Sequence, residues 1–379
     1  MALSTAILLG GLEVFVRATG LEQIVAGRVS ARLYPAPTKG GEGLFTTRVF
    51  DPVLSWRLRP NGWLPGRIGH INSLGFVGKE IEWTKPEGTT RILTLGDSVT
   101  YGLWACGHGR FCRHNPYPSA LEALLWQRSS SDAFEVIDAG VYGYSSLQGL
   151  RYYRTYLESL NADVVTAMFG WNDHGILQGF EGRELRTPVL GAVANGATHL
   201  ASYRTMTGLT ALALSQIASK QRARPAGYKP RVDLDDFEYN LTELVREVRS
   251  RGAQVLLITE PAGPDSELMR TGKAMPTWSL NGLKDYEALI AIHQRYNEAM
   301  RRVARLSGAP LVDADAEFER RDKSRLFDPY DLVHPNEAGH ALLAELIYAR
   351  LVRQGWIAIP GAGPAQRESE PARSVDGRL

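Results

Sequence analysis

A three-layer α/β/α sandwich around a central parallel sheet is the fold predicted for this 379-residue chain, and two patterns carry that expectation. Short apolar runs at residues 92–95, 135–137, 162–169, 254–259 and 310–312 read as strands buried on both faces. Amphipathic stretches at 234–251, 286–306 and 337–354 read as helices, the crossovers that parallel strands require.

Taken in chain order, residues 2–16 are apolar except for Ser4, Thr5 and Glu13, and Arg17 follows. That is shorter than the roughly 20 residues of a membrane span, and no Lys or Arg precedes it as a signal peptide requires. Residues 1–20 are therefore expected to be a weak membrane anchor or a helix docked on the rest of the chain. Residues 21–89 form an N-terminal extension, rich in Gly, Pro and aromatics from 40 to 88, with strand-like pieces at 55–58 and 70–72 that suggest a small β-rich element. The core domain spans 90–358. An insertion at about 178–232, with one helical stretch at 205–219 and a basic, proline-containing segment at 220–231, interrupts it just after a strand-end loop. That position suits a lid or substrate wall, or a plain surface excursion. The polar tail, 359–379, is expected to be disordered.

The candidate chemistry sits at the strand ends. The first run breaks at Gly96-Asp97-Ser98 and turns into a helix, which leaves the Ser98 hydroxyl at a strand carboxyl end. Ligands of open α/β sheets gather at that edge. A serine attacks only if a base removes its proton and a third group holds that base. Asp331 and His334, three residues apart on one turn, meet both needs, and Pro335 suits the opening of the helix that follows. Gly170-Trp171-Asn172-Asp173 ends another run and offers an amide donor. A third strand end leads through Asp138 to Ser146, where Gly143 turns a backbone N–H toward the same point. Together, Ser98 N–H, Gly143 N–H and the Asn172 amide would make an oxyanion hole.

A lone Gly-Asp-Ser turns up by chance in about one chain in ten of this length, so the argument rests on all the blocks together. The chain resembles the SGNH hydrolases of the GDSL esterase/lipase group, whose blocks are a Gly-Asp-Ser turn, a glycine loop, Gly-x-Asn-Asp and a late Asp-x-x-His. All are present here in that order, with Val99 where the family often has leucine. The resemblance implies a flavodoxin-like sheet, Ser98 as nucleophile and oxyanion donor, Gly143 and Asn172 as further donors, His334 as base and Asp331 as its orienter. Gly143 fits the family's glycine block; Gly140, directly after Asp138-Ala139, is expected to make the turn itself.

Among the eight histidines His174 is the rival base, but it lacks an obvious carboxylate and is expected to contact substrate, with Asp97, Trp171 and Tyr144. His340 falls on another face of the last helix and is expected to be structural, and His70, His199 and His293 have no motif context. Trp104, Tyr117, Tyr142, Tyr144 and Trp171 suggest an aromatic-lined pocket or core packing. Cys106 and Cys112 suit a small disulfide loop, which would agree with export; free thiols, or a strained metal site with His108 and His114, are the other readings.

The net charge of +2 excludes nucleic acid as the main partner. No phosphate-binding glycine loop or metal-protease motif occurs, and no metal or other cofactor is expected. The expected activity is hydrolysis of a small-molecule or glycan acyl ester through an acyl-enzyme. The alternatives are an O-acyltransferase serving a polysaccharide or other hydroxyl acceptor, and a non-catalytic binding or assembly protein on the same fold. The place of action is expected to be extracytoplasmic or membrane-associated, with a cytoplasmic location as the alternative.

Overall fold

The computed structural model describes residues 2–35, 44–64, 68–102, 104–105, 111–112, 115–129, 134–175, 196–218, 228–270, 283 and 285–357. Its strands are β1 (Arg48–Asp51), β2 (Ser55–Leu58), β3 (Thr90–Gly96), β4 (Trp104–Ala105), β5 (Phe111–Cys112), β6 (Phe134–Gly140), β7 (Val164–Met168), β8 (Gln254–Ile258) and β9 (Leu311–Val312). Five of them form one all-parallel sheet in the order β6-β3-β7-β8-β9. The chain therefore winds out from β3 to β6, returns past it to β7 and continues away. The carboxyl ends of β3 and β7 flank the switch point where such sheets bind ligands.

Side chains of a strand alternate between faces, so each apolar run feeds two cores. Leu93, Leu95, Val165, Ala167, Val255 and Leu257 pack on one side, where the Ser146–Tyr152, Leu234–Ser250 and Tyr286–Ser307 helices cover them. Ile92, Val164, Met168, Leu256 and Ile258 pack on the other, under the Tyr117–Ser129 and Glu337–Arg353 helices. This is the expected sandwich. The last helix opens on Asn336, whose side chain accepts from Gly339 N–H at 3.1 Å, with Pro335 just outside it.

The extension is a β1-β2 hairpin whose turn is held by Asp51. Its carboxylate accepts the Val53 and Leu54 N–H groups, the Arg57 guanidinium and the Tyr156 hydroxyl. A bridge from Val77 to Asp138 then covers the outer edge of β6. The Ala2–Thr19 helix is docked: the Glu13 carboxylate accepts from the N–H groups of Ala201 and Ser202, each at 2.9 Å, at the start of the Ala201–Ala218 helix of the insertion. Val25 and Val29 of the Leu21–Leu33 helix pack there with Phe50 and Ala211. Beyond that contact the helix keeps Ile7, Leu8, Leu9, Val14 and Phe15 exposed, and no helix among the described residues is long and apolar enough to cross a membrane. Residues 178–195 and 219–227 of the insertion and the tail from 359 to 379 fall outside the described residues.

The site depends on how closely the Ser98–Tyr101 helix approaches the sheet. A Cβ on Gly140 would lie 2.3 Å from Tyr101 N, and one on Gly96 2.0 Å from Thr100 Oγ1. Gly140→Ala is accordingly expected to cost roughly 1–3 kcal/mol, measured by urea unfolding, because the backbone of that helix must move to admit a methyl group.

Candidate active site

β3 ends at Gly96, and Asp97 caps the short helix by accepting Val99 N–H at 2.9 Å. Ser98 is then the first helical residue, and its own N–H is one of the orphan donors of a helix start. His334 arrives on the turn before the last helix, with its Nε2 2.8 Å from Ser98 Oγ. That turn is folded on the Asp331 carboxylate, which accepts the N–H groups of Val333 and His334 at 3.0 Å each. The same carboxylate lies 2.8 and 3.0 Å from His334 Nδ1. Nδ1–H therefore donates to Asp331, and the Nε2 lone pair is left facing the serine hydroxyl. Burial alone would lower the His334 pKa, but the charge and hydrogen bond of Asp331, aided by Asp97, raise it above its ordinary value.

Three N–H groups follow the ends of β3, β6 and β7. Ser98 N–H has no acceptor among the described residues. Gly143 adopts φ 86°, in the left-handed region, and its N–H is likewise uncommitted among them. Gly140, by contrast, donates its N–H to Asp138 Oδ1 at 3.0 Å. Asn172 gives one amide hydrogen to Asp97 Oδ2 at 2.6 Å, which leaves the other free.

The Gly143 loop is clamped by two arginines from outside the core, the buried Arg48 and the partly buried Arg231. Arg48 of β1 donates to the Tyr142 carbonyl at 2.9 Å and lies over the Trp56 ring, 4.4 Å from its centroid. Arg231, at the end of the insertion, donates to the Gly143 carbonyl and to Gln148 Oε1, both at 2.6 Å. No peptide among the described residues is cis, so the Gly143 N–H points opposite to the Tyr142 carbonyl that Arg48 holds. Burial lowers both guanidinium pKa values, that of Arg231 to about 10, which leaves both charged at neutral pH.

Several expectations about substrate contacts are corrected. Asp97, Tyr144 and His174 are completely buried and have no face to offer a substrate. The Tyr144 hydroxyl donates to the Trp56 carbonyl at 2.6 Å. His174 Nε2 lies 3.0 Å from Nδ1 of His293, whose ring stacks on Trp171 at 3.9 Å. Trp171 itself is 5% exposed, and Tyr117 is core, stacked on His340. The aromatics near the motifs are thus mostly packing. A Cys106–Cys112 pairing and the Trp104 side chain lie outside what is described. Among the described residues no group of three or more His, Cys, Asp or Glu is placed to hold a metal.

Sequence reasoning passed over Glu260 and Arg48, set His293 aside for lack of motif context, and noted Arg231 only as part of the insertion's basic segment. Glu260 gave a faint signal, a carboxyl at the end of a buried strand run; it accepts Trp171 N–H at 2.7 Å. The arginines stand in segments without a motif.

A parallel α/β/α sandwich with a serine, an imidazole and a carboxylate in line at its switch point defines the class, an ester hydrolase. The chain belongs to the GDSL-like Lipase/Acylhydrolase family, which it matches over residues 94–342. Among solved structures, the lipase/acylhydrolase from Enterococcus faecalis aligns over 72% of this chain and 100% of its own, at 15% identity and a TM-score of 0.45. An alpha/beta hydrolase enzyme from the Lake Arreo metagenome aligns over 69% and 94%, at 20% identity and 0.42. An acetylxylan esterase from Geobacillus stearothermophilus aligns over 69% and 94%, at 18% identity and 0.41. No curated protein matches the chain.

The histidine environments predict an NMR titration. His334 should titrate above the ordinary value of about 6.5 and drop on Asp331→Asn, while His293 should titrate near 4 because burial disfavours its charged form.

Proposed function

We propose that the protein hydrolyses carboxylic acyl esters through an acyl-enzyme on Ser98, with His334 as base and Asp331 as its orienter. The observation that carries this reading is the 2.8 Å contact between Ser98 Oγ and His334 Nε2 at the sheet's switch point. Ser98 Oγ attacks the ester carbonyl as His334 Nε2 takes its proton. The carbonyl oxygen becomes an oxyanion facing the N–H groups of Ser98, Gly143 and Asn172. Collapse breaks the bond to the alcohol oxygen, which receives the proton from His334. Water then attacks the acyl-enzyme, giving its proton to His334, and Ser98 regains a proton as the acid leaves. No cofactor enters the scheme, and the substrate class is a small-molecule or glycan acyl ester.

Turnover of p-nitrophenyl esters of graded chain length, with mass spectrometry of the protein, tests the scheme. Ser98→Ala should abolish turnover and the acyl adduct together; undiminished turnover by this variant would overturn it. Because the base must be neutral, kcat/KM should fall as the pH drops through the raised pKa of His334, placing the acid limb above about 6.5. Products formed with an added sugar acceptor separate hydrolysis from acyl transfer.

Arg48 gives a second test. With its hold on Tyr142 lost, the Gly143 peptide is free to turn, so Arg48→Met should lower kcat by about 10-fold or more, up to the roughly 10²–10³-fold of a missing oxyanion donor. An unchanged kcat would show that the arginine does not set the direction of this N–H.

A further inference from the structure

Behind the Asn172 amide lies a contact between two carboxyl groups that the reaction scheme does not use. Asp97 and Glu260 are both completely buried, and they converge on consecutive residues of one turn: Glu260 Oε2 holds Trp171 N–H at 2.7 Å and Asp97 Oδ2 holds the Asn172 amide at 2.6 Å. No Lys or Arg among the described residues forms an ion pair with either. Two carboxylates in contact away from water cannot both ionise, so the pair must hold a proton.

Counting donors assigns that proton. Asp97 Oδ1 accepts Val99 N–H at 2.9 Å, and Oδ2 accepts Asn172 Nδ2–H at 2.6 Å, so both oxygens act as acceptors. Glu260 Oε2 accepts Trp171 N–H at 2.7 Å, whereas Oε1 is buried with no donor. A proton on Glu260 Oε1, directed at Asp97, satisfies every one of these atoms. The backbone of Glu260 is also fixed: its N–H donates to Asn297 Oδ1 at 3.0 Å, and its carbonyl accepts from Asn297 Nδ2 and His293 Nε2. Gly170 leaves room for the carboxyl, since a Cβ there would lie 3.1 Å from Glu260 Oε2.

We propose that Glu260 is a positioning residue: as a neutral carboxylic acid it donates to Asp97, and through Asp97 it fixes the Asn172 amide so that its second N–H meets the oxyanion. The inference rests on the proposed roles of Ser98 and Asn172. Burial first, and then the neighbouring Asp97 charge, push the Glu260 pKa well above the ordinary carboxylate range, in agreement with the donor count. Sharing this proton also draws negative charge on Asp97 away from a site where further negative charge develops.

The test is a mutant cycle on ester turnover, with thermal unfolding to confirm folding. Glutamine has the shape and the donor of a neutral glutamic acid, with an oxygen left for Trp171 N–H. Glu260→Ala should lower kcat by about 10–100-fold with KM little changed, and Glu260→Gln should recover most of that loss. Because Glu260 acts through Asn172, Glu260→Ala added to Asn172→Ala should cost no more than Asn172→Ala alone. If the alanine variant does not fold, Glu260→Met fills the volume without the donor and takes its place in the cycle. A Gln variant as impaired as the Ala variant, multiplicative losses in the double variant, or a wild-type kcat for Glu260→Ala would each overturn the proposal. Ser98→Ala, run alongside, separates the two claims: if it still turns over substrate the serine mechanism fails, and if it is inert the Glu260 results bear on positioning alone.

Discussion

Asp97 holds a carboxylate wholly inside the protein, at the point where β3 becomes the helix that begins with Ser98. Burying such a charge costs several kcal/mol unless its lone pairs are matched by donors. The donors that match it come from separate parts of the chain: Val99 on its own helix, Asn172 after β7 and, in the proposed arrangement, the protonated Glu260 after β8. The carboxylate thereby ties three neighbouring strand ends to one point. It orients the start of the serine helix and the Asn172 amide in a single arrangement, so the spacing between them is set by the sheet. Its absence from the solvent-facing surface follows from that task.

The segments outside the sandwich take part in the same geometry. Gly143 belongs to the core domain by sequence, but its peptide is held by Arg48 of the N-terminal hairpin and by Arg231 at the end of the insertion. Trp56 sits against both guanidinium groups, with centroid distances of 4.4 Å for Arg48 and 5.7 Å for Arg231. A loop that must present an N–H in a left-handed conformation is otherwise free to flip. Two charged donors on consecutive carbonyls remove that freedom and place positive charge beside the point where an oxyanion would form. The hairpin thus reaches the Gly143 loop through Arg48, while Val77, further along the extension, bridges to Asp138 at the edge of β6.

What was legible in the sequence was what local pattern dictates. The five core runs and the three long helices became elements at close to the expected positions, because a doubly covered strand and an amphipathic helix each leave a periodic trace. Ser98, Gly143, Asn172, Asp331 and His334 stood out because each occupies a short motif. Their neighbours did not. Glu260, Arg48 and Arg231 reach the site across tens to hundreds of residues, and nothing in the surrounding sequence distinguishes a buried arginine on a carbonyl from an exposed one on the surface. The opposite error affected Tyr144 and His174. Lying next to a motif, they were expected at the pocket, but parallel strands feed both layers, and these side chains turned into the core on the far side.

The choice between histidines is settled by what each ring can do with a second proton. His293 Nε2 lies 2.8 Å from the Glu260 carbonyl, which only accepts, so this nitrogen carries the proton and Nδ1 must accept from His174 Nε2–H. That leaves His174 Nδ1 buried with no hydrogen-bond partner. Protonating either ring would place a cation among Trp171, Tyr296 and its neighbouring imidazole with no carboxylate to hold it, and burial lowers both pKa values accordingly. His334 has the reverse setting: Asp331 receives its Nδ1–H and, in the proposed scheme, would stabilise the imidazolium formed when Nε2 takes the serine proton. Three imidazoles near one strand end are thereby divided into a neutral pair that packs behind Asn172 and a single ring able to gain and lose a proton beside Ser98. The division comes from where the carboxylates lie, not from any difference among the histidines.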